Sequence, residues 1–571
     1  MPCQESPVQP ERASLEPDLQ HANNFAIEDV DELPPGFVPA VDELKCALEF
    51  IEALQEATLD ADGLDEEVLA CLRHPPQEPF DFVDPDLCLS LKLFISTTNS
   101  SQQTYADIRQ DVLERHPDDP ILSHAAIKRQ VSLISGVVPM VHDMCPNSCI
   151  VYTGPFKDLE MCPTCGEHRF DPIKLASSNG EIKIARQEFY TIPLGPQLQA
   201  LWRTPKGAEL MQYRHQCTTE ILEQLEDDNG VIHTFDEFWH GSEYLHAIDH
   251  GDISTNDMVL MFSIDGAKLY EHKTSDFWIY IWIIFDLPPD LRYKKKHVMI
   301  GGFILGVPQN TDSFLYPGFH HLSALQKEGL WIWDALNDQV FESHPFLALG
   351  TADSPGSVHF TGLVGHHGAY LCRLYCGIKG CHKPGVPHYY PALLKPDNYT
   401  VTECNHPDVS VHDIQQGSPT IYKANLNYLL RSQNITKFKD RRKCTGISKP
   451  SIFNGLLPRY RLPLPSGFPA DLMHLLTLNL GDLLIPLWRG LFTCAETDDI
   501  QTWDWAVLKG DIWEDHGAAV ARATPYIPGS FDRPPRNLAE KISSGYKAQE
   551  WLGYLYGLAL ALLYGILPDK Y

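Results

Sequence analysis

Four short apolar runs, each cut off by a turn signal, constrain this chain more than any other feature. Residues 257–270 read DMVLMFSIDGAKLY, a nearly continuous apolar stretch that Asp265-Gly266 breaks. Residues 275–287 (SDFWIYIWIIFDL) and 297–306 (HVMIGGFILG) repeat the pattern. Runs of this length, rich in β-branched and aromatic residues, predict neighbouring strands of one sheet. A fourth, FLALGTADSP at 346–355, ends on Asp353 before a Pro-Gly break. Two strands that each deliver an Asp at their C-terminal end can hold two carboxylates side by side, the donor set of a divalent metal in phosphoryl transfer. Asp before Gly or before Ser-Pro also caps turns, and spacing alone leaves that plainer role open.

The 571 residues suffice for two or three domains, and 43% hydrophobic residues argue for a mostly globular chain. A net charge of -30 excludes coating nucleic acid through global charge. Contact with DNA would have to come from local basic runs, and there are two: Lys294, Lys295 and Lys296 in one, Arg441, Arg442 and Lys443 in the other. A short charge run is equally a solvated loop. Fifteen cysteines are too sparse for a disulfide scaffold, and the N-terminus carries no apolar signal core, so the expectation is a reducing, intracellular compartment. The apolar stretch 551–567 (WLGYLYGLALALLYGIL) is at the short edge of a membrane span and reads better as a core helix, so no membrane is expected.

The sharpest local motif is Cys145-Pro-Asn-Ser-Cys149, twelve residues, then Cys162-Pro-Thr-Cys165-Gly166. Four thiolates in two knuckles suit a tetrahedral structural Zn(II), with Gly166 freeing backbone amides to turn toward sulfur. A redox pair would need a strand-to-helix context that is absent here. A second cluster, Cys372, Cys376, Cys381 and His382 beside Gly365-His-His-Gly and His388, has irregular spacing. It fits a further zinc site or buried free cysteines about equally. Asp471 and His474 share a helix face as auxiliary ligands or as an ordinary first-turn acid and its neighbour. Walker, GxGxxG and GxSxG loops are missing, which removes nucleotide-cradling and serine-hydrolase readings.

Taken in order, MCPNSCIVYTGPF, CPTCGEHRF, IPLGPQLQALW, DMVLMFSIDGAKLY, DLRYKKKHVMIGGFI, HPFLALGTADSPG, GLVGHHGAYLCRLYC, PHYYPALLKP and FPADLMHLLTLNLGDLLIPLWRG resemble the CACTA (En/Spm-like) transposases, in particular their fungal branch, over about residues 100–571. The resemblance implies an α/β, RNase H-like core, a mixed sheet flanked by helices, with a large helical insertion. It also implies an Asp-Asp-Glu metal site in which Asp265 and Asp353 are the first two acids, binding Mg(II) or Mn(II). The domain expectation is an acidic, Pro-rich disordered tail (1–40), a helical region (41–140), a zinc ribbon (141–172), a connector (173–256), the first part of the core (257–365) and a Cys/His-containing helical insertion (366–571). Partners would be transposon-end DNA and a second copy of the chain, and the location would be the nucleus. The family's third acid, a Glu, lies on a helix beyond the insertion. Glu550 and Asp471 are the nearest substitutes, and neither matches its motif. The expectation is therefore a truncated, decayed or domesticated transposase whose cleavage activity is left open. The alternatives are a non-catalytic DNA- or protein-binding factor and an unrelated nuclease using the same two Asp.

Overall fold

The computed structural model describes residues 32–79, 84–268, 276–382, 386–390, 393–394, 408–415, 417–492, 499–531 and 533–570. Residues 1–31 of the acidic tail expected at 1–40 lie outside the described residues. Contacts divide the chain into two compact units, Met1–Gly350 with Pro355–Phe468, and Thr351–Ser354 with Pro469–Tyr571.

The first unit is built on a six-stranded sheet. Its strands are β1 (Met140–Asp143), β2 (Glu188–Thr191), β3 (Val259–Lys268), β4 (Asp276–Ile284), β5 (Met299–Leu305) and β8 (Phe346–Thr351), in the spatial order β1-β2-β5-β4-β3-β8. The pairs from β1 to β3 are antiparallel. Strands β6 (Leu330–Asp334) and β7 (Gln339–Ser343) form a separate hairpin. The outer edge of β8 is covered by the segment 461–467: Leu347 and Arg461 make a parallel bridge, the Leu462 N–H donates to Leu347 O at 3.1 Å, and the Gly350 N–H donates to Gly467 O at 2.8 Å.

Alternation along β3 sets the two faces of the sheet. Leu260, Phe262 and Ile264 are buried on one face, where Phe262 meets Phe319 of the helix Thr311–Glu328 at a ring distance of 5.2 Å. On the other face Val259 and Met261 pack into a cluster with Ile221, Trp239, Tyr244 and Phe285, supplied by the helices Tyr213–Asp227 and Ser242–Asp249 and their neighbours. The helix Thr311–Glu328 also holds the N-terminal helix Asp42–Gln55: Ser323 Oγ donates to Leu54 O at 2.8 Å and Lys327 Nζ to Gln55 O at 2.7 Å. A lysine on the last carbonyls of a helix satisfies acceptors that have no intrahelical partner.

The turn expected at Asp265-Gly266 does not form. Strand β3 continues through both residues, with Asp265 opposite Ile279 and Gly266 opposite Trp278. Gly266 is there for space: a Cβ on it would lie 3.2 Å from the Trp278 ring. A strand glycine under a close aromatic ring looks in sequence like a turn glycine.

The second unit is helical. Ile485, Trp513, Val520, Leu538, Trp551 and Tyr554 form its core, drawn from the helices Leu480–Arg489, Asp511–Ala523, Leu538–Lys541 and Ala548–Leu552 and the π-helical turn Gly553–Leu558. Among the described residues, no helix is long and apolar enough to cross a membrane.

Candidate metal centres and nucleic-acid interface

The two cysteine knuckles close on one another. The Sγ atoms of Cys145, Cys149, Cys162 and Cys165 all lie within 4.8 Å of one another, with Cys145 and Cys165 at 3.4 Å. Four Zn–S bonds of about 2.3 Å in a tetrahedron put sulfurs roughly 3.8 Å apart, so the donor set and its spacing fit Zn(II). Each knuckle turns tightly: the Ser148 N–H donates to Cys145 O at 2.8 Å and the Gly166 N–H to Cys162 O at 2.9 Å. Both turning residues have left-handed backbone, φ 59° at Ser148 and 74° at Gly166. Burial pushes the Cys145 and Cys149 thiols up, whereas the backbone N–H of Glu167 brings exposed Cys165 down to about 7. Ile150 and Tyr152 pack beneath the knuckles with Phe156 and Leu159. The ribbon's flanking strands β1 and β2 join the main sheet through β5, fixing the knuckles to that edge.

Asp265 is exposed, on the β3 face that carries Val259 and Met261. Asp353 follows β8 by two residues and is half-buried. The start of β3 is anchored by a charge network that the sequence did not reveal. Arg214, almost fully buried, donates to Asp286 Oδ1 at 2.8 Å and to the carbonyls of Thr255 (2.8 Å) and Asp257 (2.6 Å). Asp286 Oδ2 accepts the Val259 N–H at 2.8 Å, and Asp257 Oδ1 accepts the His344 N–H at 2.7 Å. An Arg fork saturated on both sides ties the strand's entry to its neighbours in one geometry. Only the distance in sequence between Arg214 and Asp286 hid it.

The remaining predicted residues are distributed as follows. Glu550 is fully buried and held by Arg536 and by Arg533 at 3.3 Å, with its Oε2 also 2.9 Å from Arg536 Nη2. Asp471 accepts from the His474 backbone N–H at 3.1 Å and lies 2.5 Å from His474 Nδ1, the geometry of a first-turn cap. Cys376 hydrogen-bonds Cys372, lowering the Cys372 thiol to about 6 and raising its own. Cys381 and His382 lie on a two-residue strand paired with Tyr389–Tyr390. Among the described residues, the four ribbon cysteines alone form a group of three or more His, Cys, Asp or Glu ligand atoms so close together. Lys294, Lys295 and Lys296 are exposed, with Lys295 Nζ 3.1 Å from Asn99 Oδ1. Beside them Arg292 is fully buried on Glu237 at 2.6 Å. Arg441 is turned inward: its Nη1 donates to Tyr428 O at 2.6 Å and its guanidinium lies 4.1 Å over the Tyr428 ring. Arg442 and Lys443 are exposed.

A mixed sheet flanked by helices, with a four-cysteine cluster at one edge that could hold a metal ion, defines an α/β protein. Residues 231–383, which include β3 to β8, match the family model described as Transposase family tnp2, and this supports a transposase family and a transposase function for the chain. No curated protein matches it.

Proposed function

We propose that the chain is a cut-and-paste DNA transposase of the CACTA type, cleaving and joining phosphodiesters at terminal inverted repeats with Asp265 and Asp353 as metal-binding acids. The observation that carries this is the order β5-β4-β3-β8 followed by the segment 461–467 at the edge. The strand bearing Asp265 is the hydrogen-bonded neighbour of the strand that ends two residues before Asp353. That order and those positions are what an RNase H-like core requires of its first two acids. Carboxylate oxygens are the donors Mg(II) and Mn(II) select, and such ions would supply an activated water or 3′-hydroxyl and stabilise the leaving oxygen. Asp265 contributes a ligand on a strand bonded on both sides, so it needs little reorganisation to hold an ion. Lys294, Lys295 and Lys296 would meet duplex phosphates. Nuclear location and self-association belong to the same reading.

A second reading, a transposase-derived binding factor without cleavage activity, is favoured by one observation. Among the described residues, Asp265 and Asp353 belong to no group of three close ligand atoms, and Glu550 is committed to two arginines. The test is strand nicking of DNA carrying terminal inverted repeats in Mn(II), beside the Asp265→Asn/Asp353→Asn double variant. Nicking that the double variant loses supports the enzyme. Binding without nicking, with zinc retained, supports the factor.

A further inference from the structure

The helix Ile435–Thr445 begins on Asn434, whose Oδ1 accepts the Lys437 N–H at 3.0 Å, and ends on Gly446 at φ 70°. Its cations fall on different faces. Arg441 donates to Tyr428 O, and Lys439, Arg442 and Lys443, at helical spacing, line a pocket of about 660 Å³. That volume lies within the ~300–1,000 Å³ of small-molecule sites. The same pocket is lined by rings: His366, His367, His382 and Tyr389. His366 and His367 lie 4.0 Å apart, and His367 stacks on His388 at 4.4 Å with planes 12° apart. His382 lies 5.0 Å from Tyr389, and Lys443 Nζ is 5.6 Å over the Tyr389 ring.

The walls are tied to one another. The Val364 N–H donates to Gly446 O at 2.9 Å, joining the histidine loop to the helix end, and the Tyr389 N–H donates to His367 O at 3.1 Å. Among the described residues that line the pocket there is no carboxylate, in a chain whose net charge is -30. Burial and the neighbouring His367, Arg373 and His388 push the His366 pKa down, as a crowded cationic site would.

We propose that this pocket holds one nucleotide of an unpaired DNA strand, its base stacked on the histidine and tyrosine rings and its phosphate on Lys439, Arg442 and Lys443. Cations alone would accept any phosphate. The ring wall adds a surface for a base face, and in a duplex that face is already covered by its stacked neighbours. The inference deepens the DNA-binding part of the proposed function and does not depend on cleavage.

The experiment is fluorescence-anisotropy binding of a short labelled oligo(dT) strand, and of its duplex, to the full chain without added Mg(II) or Mn(II). It is repeated on Asp265→Asn/Asp353→Asn protein, so that failure of the metal reading leaves this result standing. Tyr389→Leu should weaken single-strand binding roughly 5- to 100-fold without changing its salt dependence. Arg442→Gln/Lys443→Gln should weaken it and reduce the log–log salt slope by about 1.4, at ~0.7 per phosphate contact. Circular dichroism establishes that each variant is folded, and Lys439→Gln replaces any variant that is not. Strand and duplex losing affinity equally would overturn the proposal, as would variants that bind like the parent. Inorganic phosphate competing as well as dTMP would reduce the pocket to an anion site. Free dTMP competing as well as the strand would assign it to a free nucleotide instead.

Discussion

Asp265 shows how one residue's role depends on what lies across the sheet from its neighbour. Its carboxylate is exposed, and β3 runs on through Asp265 and Gly266, where a Cβ on Gly266 would lie 3.2 Å from the Trp278 ring. Asp62 is the opposite case, a carboxylate that is wholly internal. Its Oδ1 lies 2.5 Å from His320 Nδ1 and its Oδ2 2.6 Å from His321 Nδ1, while His321 Nε2 accepts the Gly195 N–H at 3.0 Å. Burial opposes ionisation of Asp62, but His321 and His320 more than offset it and leave its pKa below the usual value. A depressed folded-state pKa adds stability that is complete above the unfolded value of about 4 and is lost as pH falls through the folded value. Asp62→Asn should therefore cost about 3 kcal/mol near neutral pH, as hydrogen bonds to a charged group contribute ~1.5–3 kcal/mol each. Urea unfolding as a function of pH checks this, and the gap between parent and variant should narrow below about pH 4. A gap that is constant with pH would remove the carboxylate's charge from the account.

At the scale of elements, the four-cysteine cluster is the part that sequence defined most completely, because all four cysteines fall within 21 consecutive residues and two local turns aim them. Ser148 was less legible: it takes the left-handed backbone that glycine supplies in the second knuckle. Metal analysis should find one zinc per chain, and Cys162→Ser should abolish it, since a three-thiolate remnant leaves the tetrahedron open. Hydrogen exchange should then accelerate across 144–168, while β3 and β4, whose Phe262, Ile264, Tyr280 and Trp282 are buried, stay protected. Acceleration reaching β4 would mean that the ribbon supports the whole sheet through β2 and β5. The second Cys/His cluster was ambiguous in sequence because its spacing fits no single ligand set. The structure gathers its histidines with Tyr389 and with one cationic face of the helix Ile435–Thr445. Which cations share that face follows from helical period, but the use of Arg441 by Tyr428 does not.

For the whole molecule, a net charge of -30 means that attraction to DNA is confined to a few patches. The proposed duplex contact at 294–296 predicts that Lys294→Gln, Lys295→Gln and Lys296→Gln together reduce the log–log salt slope of duplex binding by about 2.7, at ~0.9 per phosphate. Titration of duplex affinity against salt measures it, and an unchanged slope would remove that run from the interface. The strands β3, β4, β5 and β8 and the four-cysteine cluster were determined by sequence, because each is written in one local run of residues. The tertiary structure decided the rest: the order of those strands, the Arg214–Asp286 and Asp62–His321 networks, the commitment of Glu550 to Arg536, and the rings that line one pocket with Lys439, Arg442 and Lys443. Apart from Glu550 and Arg536, 14 residues apart, those contacts join residues distant in the chain, where only packing selects the partner and no local period records it.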